Sequence, residues 1–368
     1  MSRLRILALE PYYGGSHQAV LEGLVAQVDA EWTLLTLPAR KWKWRMRGAA
    51  MTMAEQARSL ASAPERTAAT RPFDLVLAST FLNLAEFRGL SGARIAEVPA
   101  IVYFHENQLV YPNRHTADWD FQFPLTNITS ALSAETCVFN SRYNLEGFCG
   151  QIPGFIREFP DHHPKGLAEA IAAKSCVIAP PFDPAPFDAT SPVRGRRCRI
   201  VWPHRWEHDK NPEAFFSAVS VLAKEGLDFE VAVAGQSFRE TDEVMRAAAA
   251  ALGDRLVHCD EPDTRAEYAA LLASADVAVS TAANEFFGLA MVEACYAGAA
   301  PLVPDRLAYT EIYGREYRYA NPDQLVARLR ALIADRPAPM AARALAERFT
   351  LEHLAPEFEA CFDRVAGI

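Results

Sequence analysis

Two acidic side chains flank an aromatic pair and a glycine in the second half of the chain. Glu285 and Glu293 lie eight residues apart, with Phe286, Phe287 and Gly288 between them. The run follows an apolar stretch predicted as a strand and begins a predicted helix, and ligands of open α/β sheets bind where strands end. Free N–H groups at a helix start suit a phosphate, and carboxylates suit sugar hydroxyls. The run therefore indicates a site for one anionic ligand that carries several hydroxyl groups.

Two cations follow the first predicted strand of the second half. Arg205 and Lys210 lie five residues apart in a loop before a predicted helix that starts near Glu213. From this loop both side chains could reach one diphosphate, the arginine with a planar fork and the lysine with a point charge. The alternative is a solvated loop, because basic residues are common on protein surfaces.

The first half offers small and polar residues after two predicted strands. Gly14 and Gly15 follow the first strand, where glycine lets the backbone approach a ligand closely. The alternative for this pair is a bare connection. His105 ends a later strand, and the alternative for it is an imidazole satisfied within the core.

A basic and aromatic segment covers residues 40–47. It contains Arg40, Lys41, Trp42, Lys43, Trp44, Arg45, Met46 and Arg47. An extended conformation would place the cations from position 41 on one face and the two tryptophans and the methionine on the other. Cations that meet phosphates beside indoles that stack on unpaired bases are typical of single-stranded RNA recognition. The alternative is a basic edge whose tryptophans pack on the domain.

Composition bounds the fold and the partners. A chain of 368 residues, 50% of them hydrophobic, can bury two cores. The 37 basic against 46 acidic side chains argue against nucleic-acid binding through overall charge, but allow a local basic patch. The 7 cysteines are scattered without a C-x-x-C pair, which is typical of reduced thiols. With neither a leader peptide nor an apolar run of about 18 residues, we expect a soluble cytoplasmic protein with no membrane partner.

Short apolar strands alternate with helical stretches in both halves, which predicts parallel sheets. The predicted strands cover residues 5–9, 32–37, 74–78, 100–104, 136–140, 176–179, 198–202, 229–234, 256–258, 276–280 and 301–303. We therefore expect an α/β protein of two doubly wound Rossmann-like domains that face each other across a cleft. The predicted domains are 1–180 and 198–349, joined by a proline-rich linker at 181–197. A terminal helix at 350–368 is expected to pack back on the first domain.

The two cations and the two acids together resemble the family-4 retaining glycosyltransferases of the GT-B fold. The resemblance implies that Arg205 and Lys210 neutralise the diphosphate of a nucleotide sugar. It also implies that Glu293 binds the nucleotide ribose and that Glu285 holds hydroxyls of the donor sugar. The backbone N–H groups of residues 286–288 would reach the sugar or the phosphates.

The same resemblance extends to the first half of the chain. It implies that Gly14 and Gly15 lie beside the donor phosphate and the acceptor, and that His105 hydrogen-bonds the transferred sugar. Asn107 and Asn140 would support His105. The implied catalytic set is therefore His105 with the second-half residues Glu285, Arg205 and Lys210.

Longer strings, rich in tryptophan and histidine, resemble the tRNA-queuosine α-mannosyltransferase family over nearly the whole chain. They cover residues 12–17, 37–42, 103–109, 160–162, 201–210 and 285–288. The resemblance implies transfer of mannose from GDP-mannose to queuosine in a tRNA anticodon, so the expected partners are a nucleotide sugar and the tRNA anticodon loop. The residues themselves do not identify guanine, mannose, queuosine or the oligomeric state.

No cofactor and no metal ion are expected, because Arg205 and Lys210 can serve the diphosphate. The neighbours Asp161, His162 and His163 rarely converge on one ion, since they lie within one tripeptide. Two rival functions stay open at this point. One is a glycosyltransferase with a lipid or saccharide acceptor, and the other is a non-catalytic tRNA-binding protein with the same fold.

Overall fold

The computed structural model describes residues 3–62, 71–111, 120–191, 193–235 and 249–368. The chain divides into two compact units. The first comprises Met1–Pro181 with Leu351–Ile368, and the second comprises Phe182–Thr350.

The elements of the first unit before residue 182 alternate strand and helix. They are β1 (Leu4–Tyr13), α1 (Gly15–Gln27), β2 (Ala30–Pro38), α2 (Trp42–Ala61), β3 (Leu75–Ser79), α3 (Leu84–Ser91), α4 (Ala93–Ala96), β4 (Ala100–Phe104), α5 (Gln122–Ser133), β5 (Thr136–Phe139), α6 (Arg142–Ile156), α7 (Leu167–Ala172) and β6 (Ser175–Val177). The sheet has six strands in the order β2-β1-β3-β4-β5-β6, and all pairs are parallel.

The second unit repeats the alternation. Its elements are α8 (Ala185–Asp188), β7 (Cys198–Trp202), α9 (Pro212–Lys224), β8 (Phe229–Ala234), β9 (Leu256–Asp260), α10 (Arg265–Ala273), β10 (Val277–Val279), α11 (Leu289–Tyr296), β11 (Ala300–Pro304), α12 (Tyr309–Ile312), β12 (Arg318–Tyr319), α13 (Pro322–Ala334) and α14 (Ala344–Glu347), and the chain ends in α15 (Leu351–Ala366). The second sheet also has six parallel strands, in the order β12-β11-β10-β7-β8-β9.

Helices cover both faces of the first sheet, as a parallel sheet requires. On one face β3 and β4 pack against α2, α3, α5 and α6, through residues such as Met53, Phe87 and Phe148. On the other face the same strands pack against α1 and α15, through Leu24 and Phe358. The predicted class of two doubly wound Rossmann-like domains is confirmed, and every predicted strand overlaps an observed one.

The segment predicted as extended at 41–47 is instead the start of a helix. Lys41 is the N-cap of α2, which runs from Trp42 to Ala61. The buried residues of α2 recur at helical spacing, beginning with Met46, Ala49, Ala50 and Met53. This apolar stripe faces the core, and burying it outweighs the short alternation of polar and apolar residues before it.

Of the residues predicted as a linker, 181–197, all but Pro181 belong to the second unit. Phe182 and Phe187 are buried, and the Phe182 N–H donates to the Phe349 carbonyl over 3.1 Å. Asp188 pairs with Arg343. The prolines end regular structure here, but the aromatic side chains between them have a core to fill, so the segment packs instead of spanning freely.

The terminal helix α15 belongs to the first unit and lies against α1. A Cβ atom at Gly23 would lie 2.6 Å from Leu351 Cδ2, so the two helices are in close contact at that point. Within the described residues, no helix is both long and apolar enough to cross a membrane.

Candidate active site

Two loops meet at the point where the strand order of the second sheet reverses. β7 and β10 are neighbours there, although two strands separate them in sequence. The Ala283 and Asn284 N–H groups of the loop after β10 donate to the Asp209 carbonyl of the loop after β7, over 2.7 and 3.2 Å. Ligands of open α/β sheets bind at such a switch point, beside the carboxyl ends of the strands.

The two loops bring Lys210 and Glu285 into contact. Lys210 Nζ donates to Glu285 Oε2 and to the Asn284 carbonyl, both over 3.1 Å, and lies 3.1 Å from Asp209 Oδ2. Burial by itself lowers the pKa of Lys210, but Glu285 and Asp209 outweigh burial and raise it above its usual value. Burial likewise acts to raise the pKa of Glu285, and Lys210 holds it below its usual value. The site therefore contains a cation and a carboxylate that are both charged near neutral pH.

Arg205 occupies a different environment from Lys210. Its side chain is 56% exposed, and its Nη2 atom lies 3.5 Å from Glu207 Oε2. The five-residue spacing thus places one cation in the buried contact between the loops and the other at the protein surface. An exposed arginine side chain can change its rotamer to contact a ligand at little cost in free energy, because it is not packed inside the protein.

Two residues that interact with Lys210 each have a buried polar atom without a partner. His204 Nε2 and Asp209 Oδ1 have no hydrogen-bond partner among the described residues. Burial, and next the Lys210 cation, lower the pKa of His204 to about 3, so its ring is neutral. Native proteins rarely leave buried polar groups unpaired, and such groups point to a bound ligand or water.

The start of α11 explains the aromatic pair and the glycine. Gly288 is the N-cap of this helix with φ 93°, and a Cβ atom there would lie 2.7 Å from Tyr309 Cε1. Phe286 and Phe287 are buried, and Phe287 packs edge-on against Phe349 at 5.2 Å between ring centroids. The two phenylalanine side chains therefore pack in the core, while the backbone of residues 286–288 forms the start of the helix.

Glu293 lies within α11, more than one turn after Gly288. It is buried and pairs with Arg265, the first residue of α10. The Arg265 guanidinium also lies over the rings of Phe187 and Tyr268, at 5.0 and 5.1 Å from the centroids. Glu293 thus has a cationic partner of its own, separate from the Lys210–Glu285 pair.

The first unit places a cluster of acids and histidines at its own switch point, between β1 and β3. His17 Nδ1 lies 3.2 Å from Glu10 Oε2, and His17 Nε2 lies 3.3 Å from Glu106 Oε2. The ring of His105 stacks on that of His17, with centroids 3.9 Å apart and an angle of 27° between the planes. Tyr103 contacts His105 edge-on at 4.6 Å.

Asparagines fix the loop that carries His105. Asn140 Nδ2 donates to the His105 carbonyl over 2.6 Å, and Asn107 Nδ2 donates to Asn144 Oδ1 over 2.7 Å. Asn107 Oδ1 also accepts from the Leu109 N–H over 3.0 Å. Asn107 and Asn140 are thus placed to hold the backbone around His105.

The two glycines after β1 have different surroundings. A Cβ atom at Gly14 would lie 2.5 Å from Ala39 Cβ, so close packing of the chain requires glycine there. Gly15 has φ 55°, and no atom lies within 4 Å of a Cβ built on it. Of the two, Gly15 is the one whose Cα borders open space.

Fewer side chains of the basic segment, residues 40–47, are available to a partner in the helix than in an extended strand. Trp42 packs on Phe123 at 5.0 Å, and Arg47 pairs with Asp120. Arg45 Nε donates to the Pro38 carbonyl over 3.1 Å. The exposed residues are Arg40, Lys41, Lys43, Trp44 and Arg47, and Trp44 is 58% exposed. Of these, Lys43, Trp44 and Arg47 share one face of α2, which we call the basic face.

Comparison with known proteins decides the family. The model of the tRNA-queuosine alpha-mannosyltransferase N-terminal domain matches residues 5–182, and the model of the group 1 glycosyl transferases matches residues 188–349. A tRNA-queuosine alpha-mannosyltransferase of Drosophila melanogaster is 36% identical over 334 residues, which cover 88% of this chain and 85% of that protein. This chain belongs to the tRNA-queuosine alpha-mannosyltransferase family. The predicted family and the predicted enzyme class, a glycosyltransferase, are confirmed.

Solved structures share the fold of this family member at low sequence identity. HepE of Anabaena, crystallised with UDP, superposes with a TM-score of 0.71 at 14% identity, over 98% of this chain and 100% of that one. Sucrose-phosphate synthase of Thermosynechococcus elongatus superposes with a TM-score of 0.72 at 12% identity, over 99% of each chain. The predicted GT-B fold class is confirmed.

Sequence reasoning about this glycosyltransferase missed Glu10, His17, Glu106 and Arg265. A signal for Glu10 existed, because a carboxylate inside an otherwise apolar strand is unusual and requires a partner. His17 lies seven residues later at a helix start. Nothing in the spacing of Arg265 indicates that it pairs with Glu293, since α10 and α11 meet only in the folded unit.

Proposed function

We propose that this protein transfers mannose from GDP-mannose to queuosine in the anticodon of tRNA, with retention of configuration at the sugar carbon. Family membership supports the reaction, and the named relative in Drosophila melanogaster is a tRNA-queuosine alpha-mannosyltransferase. The observation that carries the proposal is the buried contact of Lys210 with Glu285 at the switch point of the second sheet.

Each of the proposed site residues of the second unit is assigned to one part of the donor nucleotide sugar. Lys210 and Arg205 take the diphosphate, the first from a fixed position and the second from the surface. Glu285 takes hydroxyls of the donor sugar, and Glu293 takes the ribose. The N–H groups of residues 286–288 at the start of α11 add positive partial charge for the phosphates or the sugar.

Departure of the GDP leaving group would leave an oxocarbenium-like mannosyl group. Lys210, Arg205 and the helix start stabilise the negative charge that develops on the diphosphate. This positive charge comes from the protein, so we assign the reaction neither a metal ion nor a cofactor. His105 is assigned to hydrogen-bond the transferred sugar, and Gly15, whose Cβ position is open, is assigned to the phosphate side of the donor.

Retention of configuration at the sugar carbon requires one of two routes. Either the acceptor hydroxyl attacks from the face that the nucleotide leaves, or a covalent intermediate forms. Glu285 is the carboxylate that we assign to the donor sugar, and its ion pair with Lys210 lowers its nucleophilicity. We therefore favour attack of a queuosine hydroxyl from the same face.

The basic face of α2 is the proposed contact for the anticodon loop. Lys43 and Arg47 would meet phosphates, and the exposed Trp44 ring would stack on an unpaired base. The pairing of Arg47 with Asp120 leaves Lys43 as the stronger contributor of net charge.

A panel of radiolabelled nucleotide sugars and acceptors tests the proposal. Purified protein is incubated with one donor, GDP-mannose or UDP-glucose, and with one acceptor. The acceptors are tRNA that contains queuosine, tRNA that lacks it, a polyprenyl phosphate and an oligosaccharide. We expect label to pass only from GDP-mannose, and only to tRNA that contains queuosine. Transfer to the lipid or saccharide would favour the rival acceptor class, and binding of tRNA without any transfer would favour the non-catalytic rival.

A further inference from the structure

His17 is a buried histidine with two acidic partners and no role so far. Its side chain is 6% exposed, and each ring nitrogen lies within 3.3 Å of a different carboxylate. Both partners, Glu10 and Glu106, only accept hydrogen bonds when they are ionised. An imidazole that donates from both nitrogens carries two ring protons and is a cation.

The face of this cation lies against His105. The two rings stack at 3.9 Å between centroids, so the positive charge of His17 lies directly beside the second imidazole. The other titratable groups that line the cavity around His105 are Glu10 of β1 and Tyr103 of β4, and Glu106 follows His105 in the chain. The backbone of His105 is fixed as well, because its N–H donates to Thr80 Oγ1 over 3.0 Å.

We propose that His17 is a positioning residue, a buried cation that holds His105 in place and keeps the His105 imidazole neutral. A neutral ring offers one N–H donor and one lone pair, whereas a protonated ring only donates. The consequence for a sugar hydroxyl rests on the proposed function, but the state of the two histidines does not.

The direction of both pKa shifts agrees with this geometry. Burial lowers the pKa of His17, but Glu10 and Glu106 outweigh burial and raise it to about 10. Burial, and next the charge of His17, hold the pKa of His105 well below its usual range. One histidine of the stack is therefore charged and the other neutral across the physiological range.

A metal ion is the competing explanation for this cluster. Glu10, His17 and His105 each offer a ligand atom within 4.8 Å of the others. However, the lone pair of an imidazole nitrogen lies in the ring plane, and two rings stacked at 27° cannot both direct a lone pair at one ion. Both nitrogens of His17 are in addition engaged by carboxylates.

Histidine NMR tests the proposal without substrate. Protein labelled at the histidine rings is titrated from about pH 4 to about pH 10.5, and the signals are assigned with His17→Asn and His105→Asn. We expect His17 to stay protonated and His105 to stay neutral between about pH 5 and about pH 8.5. In His17→Asn, where the carboxylates remain, the His105 midpoint should rise by about one pH unit or more. His163→Asn, at an exposed histidine, is the control and should leave the His105 midpoint unchanged.

A second variant, at Glu10, tests the proposal even if His17→Asn does not fold. Glu10→Gln keeps the shape of the side chain and removes one charge, so the His17 midpoint should fall while the near-UV circular dichroism stays the same. An unchanged His105 midpoint in a folded His17→Asn protein would overturn the proposal. So would a His17 that titrates near its usual pKa, or one equivalent of tightly bound transition metal in the purified protein.

Transferase kinetics test the consequence for the sugar. The pH profile of kcat/KM for the donor should be flat from pH 6 to 8 in the wild type and should gain an acidic limb in His17→Asn. His17→Lys restores a cation and should move that limb back to lower pH. If the NMR result holds and no transfer is found, the proposed function fails while the assignment of the stack stands. An equal loss of activity at every pH in His17→Asn would contradict the positioning role.

Discussion

At the scale of single residues, the site depends on charges that burial alone would suppress. Lys210 keeps its proton because two carboxylates face it, and Glu285 stays ionised because the lysine faces it. Opposite charges about 4 Å apart attract by roughly 4 kcal/mol at an effective dielectric constant near 20. An arriving diphosphate would therefore meet a cation that is already fixed in position.

Removing one member of the proposed donor site should lower turnover sharply. Glu285→Ala and Arg205→Ala should each cost about 2–4 kcal/mol of transition-state stabilisation, as the loss of one preorganised group does elsewhere. The measurement is kcat/KM for mannose transfer. Glu225→Ala, which breaks an exposed ion pair with Arg330, is the matched control and should leave turnover unchanged. Full activity in both site variants would remove the basis for the assignment.

At the scale of elements, the helix α2 shows how a short pattern can mislead. Seven residues that alternate basic and apolar indicate a strand, but the buried residues from Met46 to Ala57 recur at helical spacing. Trp42 then turns inward onto Phe123, while Trp44 stays exposed. The predicted two faces are wrong, and the residues of this segment that stay exposed together on the helix are those of the basic face.

Changing that face should weaken RNA binding and spare the donor. Lys43→Glu with Trp44→Ala removes a phosphate contact and a stacking ring, so KM for tRNA should rise about tenfold or more. KM for GDP-mannose should stay the same. Lys165→Glu alters an exposed lysine of the same unit and serves as the control. An unchanged KM for tRNA in the double variant would exclude the basic face as the acceptor contact.

The turn before α11 should tolerate only glycine. Gly288→Ala places a Cβ atom 2.7 Å from the buried ring of Tyr309 in a left-handed backbone conformation, which should cost about 1–3 kcal/mol of stability. Thermal unfolding with and without GDP measures this cost. Gly89→Ala changes an exposed, open position inside α3 and should be neutral or slightly stabilising. A Gly288→Ala protein as stable as the wild type would show that the turn relaxes freely.

At the scale of the whole molecule, the sequence predicts the architecture better than the contacts within the sites. The two parallel sheets can be predicted from the alternation of strands and helices, because the pattern of apolar residues along the chain is enough to reveal that alternation. Arg265 reaches Glu293, and His17 reaches Glu106, across sequence separations of 28 and 89 residues. Such pairs depend on the packing of several elements, so spacing alone does not reveal them. The packing of residues 182–197 depends on contacts of the same kind, since the aromatic side chains of Phe182 and Phe187 are buried in the second unit.

The buried stack should make stability depend on pH in the alkaline range. Unfolded His17 releases its proton near pH 6.5, whereas folded His17 holds it to about pH 10. Between these values the folded state binds the extra proton, so the free energy of unfolding should fall as pH rises from 7 to 9. Urea denaturation at both pH values measures this change. The fall should be smaller in His17→Asn, and an equal fall in both proteins would assign it to other groups.

The mass of the queuosine nucleoside after the reaction tests the proposed function most directly. tRNA that contains queuosine is incubated with GDP-mannose and the protein, digested to nucleosides and analysed by mass spectrometry. We predict that the queuosine signal gains the mass of one hexose with the wild type, and that Glu285→Gln slows this gain by at least about tenfold. Queuosine that stays unchanged with folded wild-type protein would contradict the proposed reaction, and a gain that is equally fast with Glu285→Gln would contradict the proposed role of Glu285.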